Sequence, residues 1–202
     1  MPRLILASGS PRRRELLEGA GFQFDVVKPD DAAEAGVCSS GGPAAYVAEL
    51  ATRKAQDVID RIVASCNKEH TLLLAADTVA ECRGQILGKP RDEDHARQML
   101  TELSGREHRV FTGVQVVEIG TTTARPAETR VDVTTLTMDP LSEEWLDEFL
   151  ASGKWQGKAG AFGLQDGIGV VHVTEGSETN VVGLPMEIVT PLLVSFGCER
   201  GG

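Results

Sequence analysis

The chain has 202 residues, which suits one large domain of about 100–200 residues or two small ones, and its 41% apolar and 25% charged residues are ordinary for a soluble globular protein. A formal net charge of −10 argues against a general nucleic-acid or anionic-membrane partner. Cys38, Cys66, Cys82 and Cys198 form no CxxC pair and the N-terminal apolar run is too short for a signal peptide, so the expected setting is a reducing cytoplasm, with no zinc site, disulfide framework or membrane span.

The first element is Leu4-Ile5-Leu6-Ala7, an apolar run suited to a buried strand. It breaks at Ser8-Gly9-Ser10-Pro11 and restarts as Arg12-Arg13-Arg14-Glu15-Leu16-Leu17. Ser10 is a good N-cap and Pro11 suits the first helical position, so the unit reads strand, tight turn, helix. An ordinary first turn favours acids, because its unsatisfied N–H groups and the macrodipole make it positive. Three arginines there suit a bound anion, with amides, hydroxyls and guanidinium forks converging on phosphate oxygens. A solvated arginine cluster is the plainer reading of the same residues.

Gly21 ends this helix, and Phe22 to Val27 reads as a second strand. Lys28 to Gly42 is a loop carrying Asp30, Asp31 and Glu34, acids that are either solvated or turned toward a metal beside a phosphate site. Pro43 opens a helix to about Ala64 with Val47, Leu50, Ala51, Val58 and Ile62 as its apolar stripe. Lys54 falls inside that stripe, where a lysine either snorkels outward or reaches into a cleft.

Thr71 to Ala76 is the most continuous apolar strand, read as ending at Asp77-Thr78-Val79. An aspartate just past a buried central strand lies where open α/β sheets build their sites. Ile86 to Pro90 is a short strand or loop holding Lys89. A helix follows from Asp92, with Ala96, Met99, Leu100 and Leu103 inward and His95 on its edge. His108 to Val117 and Glu128 to Thr137, joined by a turn at Gly120-Thr121-Thr122, make an antiparallel ribbon. Ser142 opens a helix with Trp145, Leu146, Phe149 and Leu150 inward, and residues 153–165 form a glycine-dense loop with two lysines and two aromatics. A strand from Ile168 to Val173 and a final helix ending near Phe196 complete the chain. There is no repeat, low-complexity segment or linker. The fold class is α/β, with a mixed sheet, flanking helices and two lobes around a cleft, in a single domain over residues 1–202.

Ser8, Ser10, Arg12, Arg13, Lys54 and Lys89 thus stand opposite Asp77 and one loop acid, with no serine–histidine or cysteine–histidine arrangement. That set suits phosphoryl or nucleotidyl transfer to water.

These residues lie in segments that together resemble the Maf nucleoside triphosphate pyrophosphatases. The segments are Ala7-Ser8-Gly9-Ser10-Pro11-Arg12-Arg13, Leu50-Ala51-Thr52-Arg53-Lys54-Ala55, Ala76-Asp77-Thr78-Val79 and Gly88-Lys89-Pro90-Arg91-Asp92, then Ser104-Gly105 with His108 to Val114, Gly157 to Gln165 and Asn180 to Pro185. They run in family order over nearly the whole chain. The resemblance implies a twisted mixed sheet with two lobes, as in the inosine triphosphate pyrophosphatases. It implies hydrolysis of a nucleoside triphosphate between its α and β phosphates with a divalent metal, Mg2+ or Mn2+, in house-cleaning of the nucleotide pool.

By motif position Asp77 is the proton acceptor and, with Glu34, a metal ligand; Ser8, Arg12, Lys54 and Lys89 hold phosphates; Arg13, Thr78 and Gln165 select the base. Gln165 resembles the branch acting on dTTP and UTP, and its amide can pair with a pyrimidine edge. The family's adjacent acidic pair reads Asp30-Asp31-Ala32-Ala33-Glu34 here, and Asp166 stands where a glycine is usual, a charge that either repels phosphate or faces solvent. Two other readings stay open: the same chemistry on a different base, and a nucleotide-sensing regulator of cell division that does not hydrolyse. A homodimer rests on the resemblance alone.

Overall fold

The apolar run from Thr71 becomes the centre of a seven-stranded mixed sheet, because its residues can bury both faces at once. The computed structural model describes residues 2–37, 40–62, 70–120, 126–167 and 169–201. The strands are β1 (Arg3–Ala7), β2 (Asp25–Val26), β3 (Thr71–Cys82), β4 (Gln85–Leu87), β5 (Glu107–Ile119), β6 (Glu128–Met138) and β7 (Val171–Glu175). The helices are α1 (Pro11–Gly19), α2 (Gly42–Ile62), α3 (Glu93–Leu103), α4 (Glu143–Ala151), α5 (Glu178–Val182) and α6 (Met186–Ser195). The sheet order is β2-β1-β3-β5-β6-β7. β1 runs parallel to β2 and β3, and the other pairs are antiparallel.

One feature of this sheet makes the site. β1 pairs with β3 only over Thr71 to Ala75, and β4 folds back onto the same flank only over Ala80 to Cys82. The return uses a two-residue turn in which Arg83 and Gly84 both have positive φ (53° and 84°), the hairpin geometry that matches strand twist. Among the described residues, 76–79 therefore have no strand beside them on that flank.

Alternation along the strands sorts the layers. Ile5, Ala7, Leu73 and Ala75 pack with Ala55 and Val58 of α2 on one face. Leu4, Leu6, Leu72, Leu74 and Ala76 pack with α1 and α6 on the other. That second face carries another core farther along, where Ala80, Cys82, Val110 and Leu136 meet α3, α4, Trp155 and Phe162. The expected two lobes are these two cores, and the cleft opens between them.

Several boundaries differ from expectation. β3 does not end at Asp77 but continues to Cys82, because β5 pairs with it as far as Glu81. The second strand shrinks to Asp25–Val26, since Phe22 turns into the core beneath α1 and α6. Residues 178–182 form α5, a short helix that Ser177 caps by accepting from the Asn180 N–H. β7 begins at Val171, past Gly169 in left-handed backbone. Cys38, Cys66, Thr121, Thr122, Ile168 and the stretch just after Ile62 that includes Ala64 lie outside the described residues. Cys82 and Cys198 are buried free thiols. Among the described residues no helix is long and apolar enough to cross a membrane.

Candidate active site

A cavity of about 460 Å³ opens at the gap in the sheet, walled by the β1–α1 turn, residues 28–34, the loop around 156–165 and the end of α5. Asp77 and Thr78 both line it, although successive strand residues point to opposite faces.

Asp77 lies on the α2 face. Its register partner on β5 is Gly113, which lets the helix press directly onto the sheet: a Cβ there would lie 2.3 Å from the Val47 carbonyl oxygen. Two turns farther along α2, Lys54 reaches the cavity and donates to Asp77 Oδ1. The stripe position of Lys54 thus leads inward, not to solvent. Its Nζ also meets Glu34 Oε1 at 2.7 Å, and Lys89, exposed on the rim, stands 3.7 Å from the same carboxylate oxygen. Glu34 is partly buried, which alone would raise its pKa. The hydrogen bond from Lys54 and the charges of Lys54 and Lys89 outweigh that and hold it below the ordinary glutamate value.

Among the loop acids only Glu34 makes this reach. Asp30 accepts from the Ala32 N–H at 2.9 Å and so caps the short 3₁₀ turn Asp31–Glu34, while Asp31 is exposed and pairs with Lys28 at 3.2 Å.

Thr78 lies on the opposite face, where Arg13 is buried. The Arg13 guanidinium donates to Gly183 O at 2.7 Å, Ser8 Oγ at 3.1 Å and Thr78 Oγ1 at 3.0 Å. Thr78 Oγ1 lies 2.9 Å from Thr112 Oγ1, which donates to Asn180 O at 3.2 Å. Burial pulls the Arg13 pKa down, with the charge of Asp77 pulling the other way. Arg13 is therefore a clamp joining α1, the β1–α1 turn, β3 and the residue after α5, and the arginines of α1 do not act as one cluster. Arg12 stays at the cavity, donating to Gly157 O at 3.1 Å, and Arg14 is exposed.

Ser10 occupies the N-cap position of α1, but its side chain makes no capping bond. Ser8 Oγ instead accepts from the Ser10 N–H at 3.2 Å. The first-turn amides of α1 therefore have no side-chain cap, beside Arg12 and Ser8 on the cavity wall.

Gln165 is exposed and lines the far wall. Asp166 neither faces the open solvent nor stands alone: Lys158 Nζ donates to its Oδ2. Sequence reasoning missed this pair. The glycine-dense loop signalled two lysines, but composition could not separate exposed Lys154 from buried Lys158. It also missed Thr112, Asn180 and Gly183, whose roles behind Thr78 arise from long-range pairing.

Two carboxylates, Asp77 and Glu34, thus converge on one ammonium at the floor of a cavity walled with cations. Among the described residues no group of three or more His, Cys, Asp or Glu gathers for a metal.

Residues 3–196 match the family model described as Maf-like protein. The chain is 51% identical over 196 residues to the dTTP/UTP pyrophosphatase of Rhodopirellula baltica, covering 96% of this chain and 82% of that protein. It is 40% identical over 209 residues to the dTTP/UTP pyrophosphatase of Agathobacter rectalis, covering 98% and 100%. A HAM1 protein from Coxiella burnetii superposes with a TM-score of 0.48 at 14% identity, over 96% of this chain and 100% of that one.

Proposed function

The chain belongs to the Maf family, and from that footing we propose that it hydrolyses dTTP and UTP to the nucleoside monophosphate and pyrophosphate. The observation that carries the reading is the meeting of Asp77, Lys54 and Glu34 inside a cavity whose other wall is an uncapped helix start with Ser8 and Arg12.

In this mechanism the triphosphate lies with its phosphate chain against the first-turn amides of α1, Ser8 and Arg12, and with Lys54 and Lys89 on the other side. Asp77 takes a proton from a water molecule as the water oxygen bonds to the α-phosphorus. The bond from that phosphorus to the α–β bridging oxygen breaks, and its electron pair leaves with pyrophosphate. Lys54 holds Asp77 in place through its hydrogen bond, and it can share its remaining donors with phosphate oxygens. The buried Asp77 accepts the proton out of bulk water, where the cationic wall most stabilises the charge on the leaving group.

Maf-family pyrophosphatases use a divalent metal, and the donor set fits one. Asp77 and Glu34 already share one cation, and two carboxylates plus substrate phosphates are what Mg2+ or Mn2+ typically takes. These two residues would hold the ion, whose contribution when bound is Lewis-acid neutralisation of phosphate charge. Gln165, exposed at the far wall, faces the base, and Arg13 acts behind it by fixing Thr78 and Gly183.

The test is a product assay with magnesium across dTTP, UTP, CTP, GTP, ATP and 7-methyl-GTP, scoring pyrophosphate separately from orthophosphate. Pyrophosphate released fastest from dTTP and UTP is expected, and Asp77→Asn should lose about 10²-fold or more in rate. Orthophosphate as the product, or a near-wild-type Asp77→Asn enzyme, would overturn the reading. Binding without any turnover would leave a nucleotide sensor.

A further inference from the structure

At the cavity wall stands a second, largely buried ion pair that the mechanism above leaves unused. Lys158 lines the cavity and donates to Asp166, with the two side chains only 10% and 18% exposed. A pair so placed is costly to desolvate and is weak evidence of a purely stabilising role. The loop that carries it is also strained. Ala161, fully buried, is held at φ 64°, a conformation that costs a residue with a Cβ of the order of 1–3 kcal/mol. Gly163 is where the surrounding side chains cross: a Cβ there would lie 2.6 Å from Asp166 Oδ2, 3.0 Å from Gln165 Nε2 and 3.1 Å from Lys158 Cδ.

The pair is also joined to the phosphate side. Arg12 donates to the carbonyl of Gly157, the residue before Lys158, at 3.1 Å. Burial lowers the Arg12 pKa, and the charge of Asp166 is the largest effect opposing it. Asp166 is therefore paired with Lys158, and its charge also acts on Arg12. Arg12 and Lys158 line the same cavity.

We propose that Lys158 is a further substrate-anion-binding residue, and that Asp166 is its resident counter-ion, competing with the substrate's phosphates for the ammonium and so weakening their hold. The inference rests on the pyrophosphatase reading of the same cavity. Lys158 Nζ has three donors, and in the free protein at least one is spent on Asp166. A bound phosphate must either share the ammonium or draw it away, and an uncharged partner at position 166 would compete less.

The experiment titrates inorganic tripolyphosphate, which carries no base, into the wild type, Lys158→Met, Asp166→Asn and the double variant, and measures dTTP kinetics alongside. Lys158→Met should weaken tripolyphosphate at least about tenfold, the usual worth of a hydrogen bond to a charged group. Asp166→Asn should tighten it several-fold and lower KM for dTTP, and most of that gain should vanish in the Lys158→Met background. The double variant carries no buried charge at either position, so it keeps the comparison usable if a single variant folds poorly.

Tripolyphosphate binding by Lys158→Met or the double variant within about twofold of its Lys158 parent would overturn the inference, as would weaker binding by Asp166→Asn. A change confined to the dTTP-to-CTP ratio would also overturn it, placing Lys158 at the base. If the wild type binds tripolyphosphate as described but releases no pyrophosphate from any nucleotide, the proposed function falls and this inference stands.

Discussion

Replacing Lys54 with methionine keeps most of the length of the side chain and removes its charge. Lys54 and Asp77 form a pair whose side chains are 7% and 10% exposed, so losing the lysine leaves a largely buried carboxylate without its partner. Breaking a buried pair in that way costs about 3–5 kcal/mol. The lower end applies here, because Arg13 is close enough for the Asp77 charge to act on it and supplies partial compensation. The contact to Glu34, whose side chain is 45% exposed, adds less than about 1 kcal/mol after solvent screening. The expected loss is therefore about 3 kcal/mol at neutral pH, or roughly 6–12 °C in Tm for a chain of this size.

Urea denaturation of wild type, Lys54→Met, Asp77→Asn and the double variant measures it, provided the m-value is unchanged. The double variant leaves no stranded charge and should regain about 2 kcal/mol over Lys54→Met. A loss below about 1 kcal/mol in Lys54→Met, or a double variant no more stable than that single one, would refute the argument that the pair is buried and mutually dependent.

Gly113→Ala should destabilise by at least about 2 kcal/mol, since its Cβ would meet the Val47 carbonyl oxygen at 2.3 Å and backbone cannot move aside cheaply; thermal melting checks this, and a neutral effect would mean that α2 sits farther from β5. The lowered Glu34 pKa gives a stabilising contribution present above the unfolded glutamate value and lost as pH falls through the folded one, so the stability difference between wild type and Glu34→Gln should shrink toward zero below about pH 4. A difference that grows on acidification would contradict the Lys54 contact. His108 is buried edge-on to Phe162, and burial lowers its pKa. Acid should therefore favour the unfolded chain from about pH 6.5 downward, with a slope of up to about 1.4 kcal/mol per pH unit. His108→Phe should flatten that limb in urea titrations at stepped pH, and an unchanged slope would assign the loss to other groups.

The chemistry of this chain was easier to read in its sequence than the placement of that chemistry. Lys54 stood out because a charged residue occupied an apolar helical stripe, and a stripe is a local property. Asp77 stood out because an acid followed an unbroken apolar run, yet its position was misjudged. It lies inside β3, and the reason is the length of β5, thirty residues away, which carries the pairing onward to Glu81. The three arginines of α1 read as one cluster because adjacency in sequence hides helical direction. Arg12 and Arg13 both line the cavity, Arg13 as a buried clamp, and Arg14 is exposed. Glu34 could not be told from Asp30 and Asp31 by composition, since the difference is which of them a 3₁₀ turn points at Lys54. The pairing of Lys158 with Asp166 depends on a crowded glycine and a left-handed alanine, neither of which announces itself in a string of letters.

The four-residue gap beside β3 has a consequence for how such a site can change. In a fully paired sheet, neighbouring strand residues serve different layers and never meet the same ligand. Here the missing flank lets Asp77 and Thr78 both reach one occupant from opposite sides of the sheet. Each is backed by its own support, α2 and Lys54 for one, Arg13 and Thr112 for the other. The two residues are thus adjacent in the chain but held by separate supports, so substitutions around Thr78 can reshape one side of the cavity while the contacts that hold Asp77 stay as they are.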